Sequence, residues 1–370
     1  MDKSTVYFTK ASTTKSGSIN KKLEVIIHKS AVLKNIRERD SVAIKLHFGE
    51  LGNTRYIRPI WLRQLAELVK SAKGMPFLTD TSTLYKHARH TWFDYLETCK
   101  RNGFTTETVG CPIIIADGIK SNGVYISAEN PLKLQRIKVA QAIYDADAMI
   151  SLAHLTLHGT AGIGGSIKNI AMGCTTKESK MAMHTSENKP RFIEESCILC
   201  GMCVKVCAYD VFKIEAKRLK FDMSKCIGCG ECITYCKGNA LKVPWGMSKT
   251  TQDGIIDGAR AVISTFATKK IFYITLAVDI TGDCDCLRDS DLPIVPDIGI
   301  LASYDPLAID KASWDLLSSS VGYPGSKAEG KRKGEDIVKK LHPAVDMNYF
   351  FAQSSKAGLG NLKYKLIEIE

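Results

Sequence analysis

Ala148-Met-Ile-Ser-Leu-Ala153 runs directly into His154-Leu-Thr-Leu-His158-Gly-Thr-Ala-Gly162-Ile-Gly164-Gly165-Ser166-Ile-Lys168-Asn169. Six uncharged, mostly apolar residues read as a strand buried on both faces, as a parallel sheet requires. A glycine-dense turn follows and opens a short helix. It carries two histidines and a lysine just where a parallel strand would end. Ligands of α/β folds lie beyond the carboxyl ends of their strands, so these side chains are candidates for a site. His158 and Lys168 are the candidate catalytic residues. Gly162, Gly164, Gly165 and Asn169 are candidate cofactor contacts, because glycine lets backbone N–H groups approach an anion and a helix N-terminus favours negative charge. The G-x4-G-K-[ST] order of a P-loop is absent, and the dinucleotide fingerprint fits poorly. A histidine here can equally be a hydrogen-bonded structural residue.

The same alternation continues on both sides. Residues 41–48 read as a strand whose end, His47-Phe-Gly-Glu50, adds His47 to the catalytic candidates. Residues 77–80 form another, followed by Thr81-Ser-Thr-Leu-Tyr85. Further strands are expected at 4–8, 111–116 (buried), 270–278, 298–301 and 364–369. Helices are expected over 20–37, 58–73, 90–100, 133–144, 255–266 and from Asp305 to about residue 317. Residues 177–190 are polar and poorly periodic and read as a linker. The expected fold class is α/β, a mostly parallel sheet with helices on both faces, interrupted by a small α+β module. Its parts would be residues 1–190, a module at 191–245, and 246–370.

That module is marked by cysteines. Cys197-Ile-Leu-Cys200-Gly-Met-Cys203-Val-Lys-Val-Cys207 is followed by Cys226-Ile-Gly-Cys229-Gly-Glu-Cys232-Ile-Thr-Tyr-Cys236. Each half has the spacing C-x2-C-x2-C-x3-C. Three cysteines in a tight turn can hold three irons of a cubane, and the fourth ligand must come from the other half. The expected sets are Cys197, Cys200, Cys203 and Cys236 for one [4Fe–4S] cluster and Cys226, Cys229, Cys232 and Cys207 for the other. Paired zinc sites or disulfides fit this doubled run less well. Beyond it, Asp283-Cys284-Asp285-Cys286 follows the strand at 270–278. Cys284 and Cys286 are candidate ligands of a third metal, with Cys174, His154 or His158 completing the shell; redox-active or structural thiols are the competing reading. Cys99 and Cys111 read as core residues.

The formal charge of +12 suggests nucleic acid at first sight. Two cubanes on eight thiolates would offset about −4 of it. Basic runs such as Lys331-Arg332-Lys333 lack interleaved aromatics, so a solvated basic surface that attracts an acidic redox partner protein is expected instead. No signal-peptide pattern and no run of eighteen apolar residues is seen, so neither secretion nor a membrane span is expected. Cluster thiolates require a reducing compartment, which points to the cytoplasm.

Residues 191–245 resemble a bacterial-type two-cluster ferredoxin, which implies an electron-transfer role for the eight cysteines. That family's runs end in Cys-Pro, whereas here Cys207-Ala208 and Cys236-Lys237 stand. The departure bears on reduction potentials rather than ligation. Outside the run, the chain resembles the iron–sulfur family known as domain of unknown function 362. The resemblance rests on Lys45-Leu-His47-Phe-Gly-Glu50, Ala116-Asp117-Gly118, Gly164-Gly165-Ser-Ile-Lys168-Asn169, Gly282-Asp283-Cys284-Asp285-Cys286 and Pro296-Asp297-Ile-Gly299-Ile-Leu-Ala-Ser303-Tyr-Asp305-Pro306. It implies one α/β domain split by a ferredoxin insertion and supplies no reaction. Over about twenty residues, His158-Gly-Thr-Ala-Gly162-Ile-Gly164-Gly165-Ser-Ile-Lys168 is similar to a stretch of nickel-pincer lactate racemases, which would set His158 and Lys168 beside a cofactor or substrate.

Three functions are consistent with these features. The first is an iron–sulfur redox protein whose two clusters exchange single electrons with a site on the α/β part, built from residues such as His47, His158, Lys168 and Cys284. The second is a pure electron carrier whose larger part docks partners. The third is a non-redox enzyme of the racemase or lyase class with structural clusters.

Overall fold

The structure is a computed structural model that describes residues 3–13, 17–185 and 188–369. Its centre is an eight-stranded sheet: β1 (Ser4–Lys10), β2 (Ser41–Lys45), β3 (Met75–Asp80), β4 (Ile113–Ile115), β5 (Ala148–His154), β6 (Ile271–Ala277), β7 (Gly299–Ser303) and β8 (Tyr364–Glu368). The spatial order is β8-β1-β7-β6-β5-β2-β3-β4. Only β7 is antiparallel to its two neighbours, β1 and β6. The expected α/β class, mostly parallel with helices on both faces, is the fold observed. β5 and β6 are buried at every position, with Leu152 opposite Ile274 and His154 opposite Leu276.

The helices that cover the sheet are α1 (Ile19–Lys29), α2 (Pro59–Ser71), α3 (Trp92–Arg101), α4 (Ser166–Gly173), α5 (Lys177–His184), α6 (Ser248–Ser264), α7 (Pro306–Ser319) and α8 (Met347–Lys356). On one face, Leu23, Trp61, Leu65 and Tyr95 of α1–α3 pack on Val42, Ile44, Ile150 and Leu152. On the other, Ile167, Ile170, Ile255, Leu307 and Phe350 pack on Ala43, Met149 and Tyr273. Helix ends follow local chemistry. Pro59 opens α2, and the Asp305 carboxylate accepts from the amides of Leu307 and Ala308 at 2.9 and 2.8 Å before Pro306 opens α7.

Between α5 and α6 lies the cysteine segment. Its short strands pair as Arg191–Phe192 with Leu241–Lys242 and Phe212–Glu215 with Arg218–Phe221. The second pair is a hairpin. Two helical turns, Met202–Val206 and Glu231–Tyr235, each follow a glycine at positive φ, Gly201 (71°) and Gly230 (75°). Val211, Phe212, Ile233 and Leu241 form a small core of their own, closed by Leu84 and Met181 from outside the segment.

Four expectations are corrected. Residues 133–144 are not one helix: Arg136–Ala140 is a strand paired antiparallel with Gly123–Ser127, and only Gln141–Tyr144 is helical. Ile137 and Val139 alternate inward with Arg136 and Lys138, and the pairing partner selects that period over the helical one. The linker at 177–190 is largely helix α5, and it is buried although polar. Its charges are met from afar: Lys177 by Glu231 at 3.2 Å, Glu178 by the Tyr125 hydroxyl at 2.7 Å, and Lys180 by Thr81 Oγ1 at 2.6 Å. Residues 186–187 of that stretch lie outside the described residues. The first helix stops at Lys29, since Ala31 turns left-handed at φ 56°. β4 is a sheet-edge strand with Ile114 exposed, not a buried one. Among the described residues, no helix is long and apolar enough to cross a membrane.

The order of strands reverses between β2 and β5: β3 and β4 extend one way, β6 the other. At that point α4 must dock closely. The buried Asp310 carboxylate on α7 takes the first amides of α4, Ser166 N–H at 2.6 Å and Ile167 N–H at 3.0 Å. Gly165 makes this possible, because a Cβ there would stand 2.4 Å from Asp310 Oδ1. Burial, only partly offset by those two bonds, pushes the Asp310 carboxyl up to about 7. Asp310→Ala should cost about 2–3 kcal/mol, since two buried N–H groups lose their acceptor. Asp310→Asn, which keeps one oxygen, should cost less. Urea midpoints at unchanged slope check both.

Candidate functional site

A cleft of about 820 Å³, part of it open to solvent, lies at the carboxyl ends of β2, β3, β5 and β6. Lys45 and His47 line it from β2, Asp80 to Tyr85 and Arg89 from beyond β3, His154, Thr156 and His158 from β5, and Cys284 to Cys286 from beyond β6. Helix α4 adds Lys168, Asn169 and Gly173, and α5 adds Lys180 and His184. Trp245 closes one side, its ring edge-on to His184 at 4.8 Å.

Two buried ion pairs hold this frame. Lys45 Nζ meets Asp80 at 3.2 Å and also donates to Asn169 Oδ1 at 2.7 Å. Asp80 in turn accepts from the Tyr95 hydroxyl and from the Thr81 amide at 2.9 Å. Gly173 lets α4 pass over the pair, as a Cβ there would lie 2.0 Å from Lys45 Cε. In the second pair, Arg89 Nε donates to Glu50 at 3.1 Å. Its other nitrogens reach the Tyr85 hydroxyl at 2.5 Å and His47 Nε2 at 2.8 Å. Lys180 differs. Its partners, Thr81 Oγ1 at 2.6 Å and the Ser82 carbonyl at 2.5 Å, are neutral, and burial brings its pKa down to about 8.

The three histidines of the strand ends are shifted in different directions by their neighbours. His47 has Arg89 against Nε2 (2.8 Å) and the Gly49 amide against Nδ1 (3.0 Å), and a neutral ring accepts from only one of them. Burial, then Arg89, Lys168 and Lys45, hold it neutral, with a pKa well below the usual range. His158 Nδ1 accepts from the amides of Thr160 (3.2 Å) and Ala161 (3.0 Å). Burial and Lys168 keep this ring neutral too, so its proton sits on Nε2. His154 has acceptors on both sides, Asp285 Oδ2 at 2.8 Å and the Val278 carbonyl at 2.7 Å. Burial opposes its charge, but Asp285 outweighs burial and raises its pKa above the ordinary value. The second oxygen of Asp285, Oδ1, is buried without a hydrogen-bond partner among the described residues.

Cys284 and Cys286 flank that carboxylate. Lys168 Nζ donates to Cys284 Sγ at 3.2 Å, and the Cys286 amide donates to the same sulfur at 3.3 Å. A bond from the Cys286 thiol lowers the pKa of Cys284 against the effect of burial, with Lys168 helping. Cys286 is shifted up by the same bond and by burial. Burial alone would lower the Lys168 pKa, but the two sulfurs and Asp285 hold it above its ordinary value. Ligand atoms of His158, Cys284 and Cys286 lie within 4.8 Å of one another, close enough for one soft ion. His158 could join it only by moving its proton off Nε2, against the two amides at Nδ1.

The eight cysteines of the doubled run line two separate cavities. Cys197, Cys200, Cys203 and Cys236 surround one of about 350 Å³, with Ile198, Leu219 and Leu241. Cys207, Cys226, Cys229 and Cys232 surround one of about 330 Å³, with Val211, Phe212 and Ile227. Backbone amides point at sulfur in both: Ala240 to Cys236 at 3.1 Å and Gly228 to Cys226 at 3.4 Å.

Of the residues singled out in the sequence, His47, His158, Lys168, Gly164, Asn169, Cys284 and Cys286 all line the cleft. The glycine turn is not the open anion cradle expected. The amides of Ser166 and Ile167 belong to Asp310, and a Cβ on Gly162 would lie 2.0 Å from Met347 Sδ, so Gly162 and Gly165 serve packing. Cys174 stands apart, its thiol on Met149 Sδ at 3.8 Å, and His154 is taken by Asp285. Arg89, Lys45, Lys180, Asp285 and Trp245 were not singled out. Position after a strand marked Asp285, whereas nothing local marks Arg89 or Lys180.

A family model described as domain of unknown function DUF362 matches residues 42–315. No curated protein matches. Among solved structures, a Thermotoga maritima protein from a structural genomics consortium is similar at 10% identity and a TM-score of 0.38, over 80% of this chain and 57% of that one. The lactate racemase apoprotein of Thermoanaerobacterium thermosaccharolyticum is similar at 12% identity and a TM-score of 0.36, over 75% and 51%. The chain thus spans little more than half the length of either structure.

The proton assignments are open to direct test. In histidine NMR, His154 should titrate above the ordinary value of about 6.5, while His47 and His158 stay neutral well below it. A histidine whose folded pKa is raised contributes stability below its unfolded pKa and loses it as pH rises through the folded value. The urea-midpoint gap between the protein and its Asp285→Asn variant should therefore be widest below about pH 6.5 and shrink at alkaline pH.

Proposed function

The chain belongs to the DUF362 family, and we propose that it is an iron–sulfur redox protein of the cytoplasm. Two [4Fe–4S] clusters, when bound, supply single-electron transfer to or from the cleft. The observation that carries this reading is the partition of eight cysteines between two cavities. Each cavity draws three cysteines from one run and the last from the other, the crosswise arrangement that paired cubanes use. Apolar walls and amides aimed at sulfur fit a cluster, and soft thiolate donors fit iron.

The two sets face different surroundings. Cys200 is exposed among the exposed side chains of Ile198 and Leu199, with Lys237 beside it. This side suits docking of a redox partner protein with acidic groups. The other set lies against the α/β part, where a Cβ on Gly230 would come within 2.9 Å of Leu84 Cδ1. Leu84 lines the cleft, so the segment and the cleft share a wall. Within the cleft, Lys168 and Lys180 carry charge without a carboxylate salt bridge among the described residues, which favours an anionic substrate.

Anaerobically prepared protein should hold about eight irons per chain, with visible absorption that bleaches on reduction. Cys236→Ser should remove the cluster of Cys197, Cys200 and Cys203 and leave about four irons. Stoichiometric zinc with fewer than about four irons sinks the proposal. Loss of both clusters in a variant that stays folded by circular dichroism argues against independent crosswise sets.

A further inference from the structure

Three consecutive residues connect the cysteine segment to the thiols of the cleft. Leu84 packs under Gly230 at the wall of the inner cysteine cavity. The Tyr85 hydroxyl donates to the Cys286 carbonyl at 3.3 Å. Lys86 Nζ donates to the Cys236 carbonyl at 3.3 Å. Beyond Tyr85, the sulfurs of Cys284 and Cys286 sit within 4.8 Å of each other on one loop. A disulfide requires the two sulfurs to close to ~2.05 Å. Lys168 faces Cys284 at 3.2 Å, placed to stabilise negative charge on sulfur.

We propose that Cys284 and Cys286 form a dithiol–disulfide couple that collects single electrons arriving through the cysteine segment and exchanges them, as a pair, with a small anionic disulfide in the cleft. The delivery half rests on the redox reading above; the couple itself does not. The chemistry balances. A first electron from a low-potential one-electron protein donor gives the disulfide radical anion beside the Lys168 ammonium. A second cleaves the S–S bond to two thiolates. One proton from cleft water goes to Cys286, and Cys284, which faces the Lys168 ammonium at 3.2 Å, remains the thiolate. Cys284 then attacks one sulfur of the substrate disulfide and expels a thiolate, which takes up the Cys286 proton. Cys286 attacks Cys284, releases the second substrate thiolate and restores the intrachain disulfide.

The cleft fits that substrate class. Among the described residues, the buried Lys180 donates to neutral oxygens, with Asp117 and Asp80 acting on it only at longer range, and the buried Asp285 Oδ1 has no hydrogen-bond partner. A ligand that presents an anion to Lys180 and a hydrogen-bond donor to Asp285 completes both. A metal held by His158, Cys284 and Cys286 is the competing use of the same atoms. It requires Nε2 of His158 as a lone-pair donor, whereas the amides of Thr160 and Ala161 fix that nitrogen as N–H.

The couple is read on the unmutated protein by equilibrating it in a dithiothreitol redox series, trapping free thiols and weighing the peptide that carries both cysteines. It should pass between a dithiol and an intrapeptide disulfide lighter by two hydrogens, whether or not iron is bound. A peptide that stays dithiol throughout, or retains stoichiometric metal, overturns the proposal. Lys168→Met should shift the equilibrium toward disulfide by about tenfold, near 30 mV for a two-electron couple. In Cys286→Ser, dithiodipropionate should trap a mixed disulfide on Cys284 at least tenfold faster than cystamine; equal rates refute the anionic preference. Reduced flavodoxin, too large to enter the cleft, should reduce the disulfide in the unmutated protein and fail in Cys232→Ser, while dithiothreitol reduces it in both. Equal reduction by flavodoxin in both overturns the delivery route, and iron analysis reports separately on the clusters.

Discussion

Charges taken out of water must be answered by other charges, and the carboxyl end of this sheet is built around that requirement. Lys45 with Asp80 and Glu50 with Arg89 lie almost fully buried beyond neighbouring strands. Loss of one member of such a pair leaves a desolvated charge that costs several kcal/mol, so each pins its partner. Lys45 carries the restraint to α4 through Asn169, and Arg89 carries it to His47 and Tyr85. The cleft is therefore rigid where it is polar. Its side chains are oriented before any ligand arrives, which spares the cost of ordering them on binding.

Within that frame, residues of one type are differentiated by their surroundings. Three histidines lie at or beyond the ends of β2 and β5, yet their surroundings lower the pKa of His47 and His158 and raise that of His154. Two cysteines one residue apart are split in the same way, one lowered and one raised, with a lysine on the lowered member. Asymmetry of this kind assigns nucleophile and proton carrier without any change of residue type.

Much of this was visible in the sequence. Unbroken apolar runs identified β5 and β6, and strand ends pointed to His47, His158, Lys168 and Cys284, because burial on both faces leaves little ambiguity in a parallel strand. What escaped was whatever depends on remote partners. Helix α5 looks like a linker because its Lys177, Glu178 and Lys180 are charged, and only Glu231, Tyr125 and Thr81, distant in sequence, make their burial tolerable. Arg89 sits in irregular chain, and its role exists only through Glu50 and His47. The glycines at 162 and 165 were misread for a related reason. A close approach looks alike in sequence whether the visitor is a ligand or, as here, Met347 and Asp310.

The contact between His184 and the residues after the cysteine segment carries a different implication. The Gly246 amide donates to the His184 carbonyl at 2.6 Å, so residues 185–245 leave and rejoin the rest of the chain at one spot. A stretch tethered through so narrow a neck adds little to the entropy of closing the surrounding fold. The sheet does not pass through it. The strand order is thus independent of the segment, whereas α5 is not, because Glu231 within the segment meets Lys177. The neck opens beside Trp245, on the wall of that cleft. The two ends of the segment thus meet beside the cleft and outside the sheet that frames it.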